Sequence, residues 1–216
     1  KNKDLWDLAS AVKARAHTRK DFHDAFRTAV LRENESVDSY GRLKIGNLRG
    51  ATTLNGIVAF CSQVREIRKH PCFRVSPKIE AVLTANYDWF LESGATAMHQ
   101  AGLFKPMTRP SSDLGRNDLP VYHIHGYLPF GKTKKGISKR RQPKATSVKP
   151  TEPLVLDRET YERAYSPGSW TLEVLNRYLC NCTTVFIGFS FEDQYFLNAL
   201  RRFAQRPQAP THFALM

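Results

Sequence analysis

The sequence predicts an α/β fold, a parallel sheet with helices on both faces, joined to a helical N-terminal portion. Three observations carry this. Ala81-Val82-Leu83 is a short apolar run that passes through Thr84-Ala85-Asn86 into Tyr87, Trp89, Phe90 and Leu91 at helical spacing, as a buried strand turning straight into a helix does. Thr183-Thr184-Val185-Phe186-Ile187 is β-branched and apolar and leads through Gly188 into a further helical pattern. From Ala81 onward strands and helices alternate, which implies parallel pairing and right-handed crossovers.

The totals set the bounds. The 216 residues suit one domain, or one with a small appendage, and suffice for a hydrophobic core. No apolar run is long enough to span a membrane, and Lys1 opens no signal-peptide pattern. The end, Thr211-His-Phe-Ala-Leu-Met216, reads as a strand, so the chain is expected to be an excerpt of a longer protein. Cys61, Cys72, Cys180 and Cys182 form no C-x-x-C pair, which argues against a structural zinc module and for reduced thiols in the cytoplasm. The formal charge is +13, and eight of the positive residues, Lys132, Lys134, Lys135, Lys139, Arg140, Arg141, Lys144 and Lys149, lie between Gly131 and Pro150 with no acid among them; without them +5 remains. Such a segment is either a solvated loop or a surface for nucleic acid.

In order, Lys1 to Glu33 reads as helical, with one apolar stripe of Leu5, Trp6, Leu8, Ala9 and Val12 and a second of Phe22, Ala25, Phe26, Val30 and Leu31. Asn34 to Leu48 is a polar loop. Thr53 to Ile67 is a helix ending before Pro71. Together 1–75 form a helical portion packed on or inserted in the domain, and 76–216 the α/β portion. His17, His23 and His70 read as surface or capping residues. The helix after Asn86 runs to about Gln100, with Gly102 near its stop. Phe104 to Leu119 reads as loop, and Val121 to Leu128 as a strand with Val121, His123 and His125 on one face and Tyr122 and Ile124 on the other. Pro153 to Leu156 is a short strand. Asp157 caps a helix through Tyr161 and Tyr165, Pro167-Gly168 breaks it, and Trp170 to Leu179 forms the next. After Ile187, Ser190 and Asp193 have capping-box spacing before a helix from Gln194 to Phe203.

Chemistry-bearing residues gather at strand ends, where ligands bind in open α/β sheets. Thr84, Asn86 and Asp88 sit at the first end, although Asn86 or Asp88 also suits a helix cap. His125 stands before Gly126, which lets a ligand approach, and this suits a general base. His123 and His125 are spaced for a metal, but no nearby carboxylate or cysteine completes a site. Gly188, followed by Ser190 at a helix start with free amides, suits a phosphate or a ribose hydroxyl.

The ordered set Thr84-Ala85-Asn86-Tyr87-Asp88, His125-Gly126 and Gly188-Phe189-Ser190, with Val155-Leu156-Asp157-Arg158-Glu159-Thr160-Tyr161 between, resembles the sirtuin-like family. It is most similar to the branch of NAD-hydrolysing proteins in bacterial antiphage defence, whose members show T-T-N-Y-D, H-G and G-x-S-x-x-D. The resemblance covers about Ala81 to Met216 and implies a Rossmann-like fold. Its implied function is an NAD glycohydrolase that yields nicotinamide and ADP-ribose without a metal. Asn86 and His125 would be catalytic, Asn86 orienting water and the nicotinamide ribose and His125 acting as base. Thr84, Ala85, Asp88, Gly126, Gly188, Ser190 and Asp193 would bind NAD, Asp88 at the carboxamide. It further implies a sensing domain or partner protein and a homo-oligomer as the gate on a toxic activity. Two departures stand out. The glycine-rich G-A-G-x-S turn that holds the pyrophosphate is absent from Lys1 to Gly50, so it lies upstream or is lost, and the four-cysteine zinc ribbon usual in deacylating sirtuins is absent between the H-G and G-x-S elements; Thr84-Ala85 in place of Thr-Thr is a milder change.

Two other functions compete. A binding module would use Lys132 to Lys149 on nucleic acid, with salt-dependent affinity. An NAD-dependent protein deacylase would need the four-cysteine zinc ribbon of the deacylating sirtuins, yet only Cys180 and Cys182 fall in that interval.

Overall fold

The computed structural model describes residues 52–69, 78–107, 114, 118–127 and 154–215. They fall into two compact units, one made of the described residues up to 127 and the other of those from 154 onward. The expected helices of Lys1 to Glu33, the loop of Asn34 to Leu48, the three N-terminal histidines and the basic run of Lys132 to Lys149 lie outside the described residues.

The first unit comprises α1 (Thr52–Lys69), β1 (Val82–Thr84), α2 (Phe90–Ala97), β2 (Phe104–Met107) and β3 (Leu119–His123). Its three strands are all parallel in the order β1-β3-β2, a Rossmann-like α/β arrangement. Register pairs Val82 with Val121 and Thr84 with His123 on one side of β3, and Phe104 with Leu119 on the other. The face carrying Val82, Phe104, Leu119 and Val121 packs on Val58 and Cys61 of α1 and Ala95 of α2. Burial of these side chains is what holds the two helices on the sheet, at roughly 25 cal/mol per Å² of apolar surface removed from water.

Three boundaries differ from the sequence reading. Residues 104–107, expected as loop, form β2. Pro106 disguises it, yet β2 is the outer strand of the three, where a missing N–H breaks no ladder. Strand β3 begins at Leu119 and ends at His123; the amide of Gly126 donates to the carbonyl of His123 at 3.0 Å and closes a turn. Alternation therefore stops before His125, which does not share a strand face with His123. Helix α2 stops at Ala97 rather than Gln100: the amide of Gln100 donates back to Ala95 at 2.8 Å and His99 takes φ 59°, a left-handed helix stop placed before Gly102.

The second unit comprises α3 (Arg158–Ala164), α4 (Trp170–Asn181), β4 (Val185–Ile187), α5 (Gln194–Ala204) and β5 (Phe213–Leu215). Strands β4 and β5 pair in parallel, Val185 with Phe213 and Ile187 with Leu215, and the strand expected at the end of the sequence is present. Those four side chains share an exposed face. On the other face Phe186 meets Phe196 of α5 edge-on at 5.9 Å, and α5 buries Phe196, Ala199 and Phe203. The strand expected over Pro153 to Leu156 is not formed by 154–156. Leu154 and Val155 are buried, but the amide of Leu156 donates to Thr160 Oγ1 at 3.0 Å instead of to a ladder.

Asp157 caps α3 as expected, in a full capping box with Thr160. Ser169 caps α4, accepting from the amide of Leu172 at 3.3 Å. For α5 the cap is Asp193 itself, whose Oδ1 accepts the amides of Tyr195 and Phe196, both at 3.0 Å; Ser190 is not the cap that the spacing suggested. Among the described residues no helix is long and apolar enough to cross a membrane.

Candidate active site

The turn from β1 to α2 is held by short-range bonds. Thr84 Oγ1 accepts the amide of Asn86 at 3.1 Å, and Asp88 Oδ1 accepts the amide of Phe90, the first residue of α2, at 3.0 Å. Small polar side chains hold backbone donors in this way wherever a strand must turn into a helix. Asp88 thus does the local work that a capping residue would do. Asn86 does not: its main chain is bound on both sides while the residue itself is exposed.

The second tie on Asn86 comes from β3. Nδ1 of His123 lies 3.1 Å from the carbonyl oxygen of Asn86, and Nε2 lies 2.9 Å from Oε1 of Glu92 in the first turn of α2. The His123 side chain is 1% exposed and that of Glu92 15%. Tyr127 lies against the imidazole, ring centroids 4.4 Å apart. Burial pushes the Asp88 carboxyl above the ordinary carboxylate range; the amide of Phe90 and His123 pull it back, and Glu92 adds to the rise. Burial, then the charges of Glu92 and Asp88, push the Tyr127 hydroxyl upward too. Five groups thus share one end of the sheet: Asn86, Asp88, Glu92, His123 and Tyr127.

The sequence-predicted residues are placed as follows. Thr84, Ala85, Asn86 and Asp88 follow β1, and His125-Gly126 follows β3, its neighbour, because Ile124 donates to the Thr84 carbonyl at 2.9 Å beyond the last strand pair. The structure therefore brings these two motifs to one edge. His125 is buried at 4% exposure, and Gly126 has φ 104°, where only glycine is relaxed. Gly188, Ser190 and Asp193 belong to the second unit. Gly188 has φ 63° and nothing within 4 Å of the place its Cβ would occupy, so a ligand can approach its backbone. Ser190 is exposed, whereas Asp193 is engaged with the start of α5. Phe191 is also left-handed, at φ 56°, a strained conformation for an aromatic residue.

Sequence reasoning missed Glu92 and His123 as members of this site. His123 was visible as one of two histidines in Val121-Tyr-His-Ile-His125, and Glu92 is a first-turn acid on a helix, which ordinarily reads as a solvated residue. Among the described residues no group of three or more histidines, cysteines or acids could hold a metal ion.

In the first unit the carboxyl ends of parallel strands carry an exposed asparagine and a buried histidine before a glycine, and in the second unit a parallel strand ends in an open glycine turn; each is the kind of strand end at which α/β domains bind ligands. More narrowly, a family model described as a SIR2-like domain matches residues 80–216, and the chain belongs to that family; SIR2-like domains use NAD. No match was found among the curated proteins or among the solved structures.

Proposed function

We propose that the chain is an NAD glycohydrolase that cleaves NAD to nicotinamide and ADP-ribose. The observation that supports this most is the state of Asn86 in a SIR2-like domain: its backbone is fixed by Thr84 and His123, while the residue stays exposed beside the His125-Gly126 turn. A fixed amide at a strand end is what the reaction asks for. Breaking the nicotinamide–ribose bond builds an oxocarbenium-like centre on the sugar, nicotinamide is already a good leaving group, and the protein must hold the ribose and one water in line.

In this reading the Asn86 amide orients the attacking water and the ribose. His125 takes the proton from the ribose hydroxyl or from water; as it is buried, the reacting group is brought to it past Gly126, which has no side chain in the way. Asp88, whose carboxyl burial pushes above the ordinary carboxylate range, would contact the carboxamide, accepting from its NH₂. Thr84 and Ala85 line the turn. The Gly188 backbone and Ser190 hydroxyl suit a ribose or phosphate oxygen on their own account. Asp193 acts through the α5 start it caps, holding the amides of Tyr195 and Phe196.

An activity that depletes NAD must be gated, so we further propose that the protein is the effector of an antiphage defence system, switched on by an additional domain, a partner or self-assembly. The basic Lys132–Lys149 segment favours a second reading, a nucleic-acid contact.

The test is nicotinamide release from NAD by the full chain and by Asn86→Ala and His125→Ala. The expected outcome is release by wild type and a loss of about 10²–10⁴-fold in each variant. No release by wild type, with salt-dependent binding of nucleic acid that neutralising the eight basic residues abolishes, would replace this reading with the second.

A further inference from the structure

The contacts of His123 fix its protons. A carbonyl oxygen only accepts, so the nitrogen 3.1 Å from the Asn86 carbonyl, Nδ1, carries a hydrogen. The other nitrogen is 2.9 Å from a carboxylate oxygen of Glu92. Without a proton that contact would set two acceptors against each other, so one proton lies between them: imidazolium beside carboxylate, or imidazole beside carboxylic acid. Among the described residues the second oxygen of Glu92, Oε2, is buried and accepts no hydrogen bond, so the carboxyl is committed to His123.

Such a pair is a poor way to build a core. His123 lies on the same sheet face as Val121, which is fully buried among apolar side chains, and an aliphatic residue there would avoid the desolvation of a histidine and an acid. What the pair supplies is a directed hydrogen bond from β3 to one carbonyl in the β1–α2 turn, with its donor held in turn by α2. Three elements are referred to one atom, the main-chain oxygen of Asn86.

We propose that Glu92 and His123 are a positioning pair: Glu92 orients the imidazole, and the imidazole holds the main chain of Asn86 in its working geometry. This rests on the function proposed above for the role of Asn86, but the pair itself can be tested without it. The titratable groups around it are Asp88 on the turn and Tyr127 beyond β3. On α1, Arg65 binds Gln100, past the end of α2, at 2.9 Å.

Two variants separate this from a structural role. Glu92→Gln keeps a hydrogen-bonding group against Nε2, while Glu92→Ala removes the contact. In the full chain, nicotinamide release by Glu92→Gln is expected to be about tenfold or more faster than by Glu92→Ala, the conservative variant restoring the hold on the imidazole. Glu92→Ala is expected to lose about 10²-fold in kcat with little change in KM, as a displaced reacting group does. Nitrogen NMR of the His123 ring, assigned by its disappearance in His123→Gln, reads the pair without NAD. Wild type and Glu92→Gln should both show an N–H at Nδ1, the one the Asn86 carbonyl accepts. A ring protonated only at Nε2, or a Glu92→Gln variant no more active than Glu92→Ala, would overturn the proposal. A protein that releases no nicotinamide yet shows the Nδ1 N–H would instead retain the pair and overturn the hydrolase reading.

Discussion

His123 reaches from β3 to the β1–α2 turn and places Nδ1 at 3.1 Å from the carbonyl oxygen of Asn86, 37 residues earlier in the chain. The two residues share no local sequence logic. They meet because Thr84 and His123 are direct partners in a parallel ladder, so the residues just past Thr84 lie over the end of the neighbouring strand.

Asp88 should make stability depend on pH in a definite direction. Its carboxyl is raised above the ordinary range by burial, so the folded chain holds that proton more tightly than the unfolded one. Stability from this group is full below the ordinary aspartate value of about 3.9 and is lost as pH rises through the higher folded value. Asp88→Asn keeps the acceptor for Phe90 and should therefore raise the melting temperature at pH 7, with the gain shrinking toward pH 3. A gain that does not change with pH would contradict this.

Asp157→Ala should destabilise the second unit by about 1–2 kcal/mol. Oδ1 of Asp157 accepts the amide of Thr160 at 2.8 Å, and Thr160 Oγ1 accepts the amide of Asp157 at 3.0 Å. Both residues are buried, so truncation leaves donors without water to turn to. Urea unfolding curves measure the difference, and a change below about 0.5 kcal/mol would show that the box is dispensable.

Cys61 should resist alkylation in the folded protein. Burial raises its thiol to about 11, leaving roughly one part in a thousand as thiolate at pH 8. Iodoacetamide at that pH should modify the half-buried Cys180 and Cys182 before Cys61, as read by peptide mass spectrometry. Rapid labelling of Cys61 would mean that α1 leaves the sheet readily.

Gly188→Ala separates folding from ligand approach. A Cβ there meets no protein atom within 4 Å, and the penalty comes from φ 63° alone, about 1 kcal/mol. If a phosphate or ribose oxygen contacts this backbone, the added methyl should raise the KM for NAD about tenfold or more while unfolding shifts by only that small amount. An unchanged KM would remove Gly188 from the site.

Much of this was legible beforehand. The pairs Ala81 to Glu92 and Thr183 to Phe203 announced themselves because a buried strand and an amphipathic helix have different periods, and their junctions carry small polar residues. The Asp157 cap was legible because capping is local. Strand β2 was not, since Phe104-Lys-Pro-Met107 has no pattern of its own and is a strand only through pairing with β3. The helix stop at His99 was hidden for a related reason: a left-handed histidine looks like any other until the backbone is seen, whereas Gly102 advertises a stop it does not make.

The sequence by itself determined the class of fold, the family resemblance and the candidacy of Asn86, His125 and Gly188, because these follow from short-range periods and from motifs read along the chain. Only the tertiary structure decided which histidine holds the asparagine. His123 and His125 are two residues apart and alike in composition, but the strand ends between them. The ladder carries His123 to Asn86 and Glu92, while the turn carries His125 out of strand register. A proton shared between β3 and α2 is a relation across 31 residues of chain, and such a relation exists only once strands have paired and a helix has packed upon them.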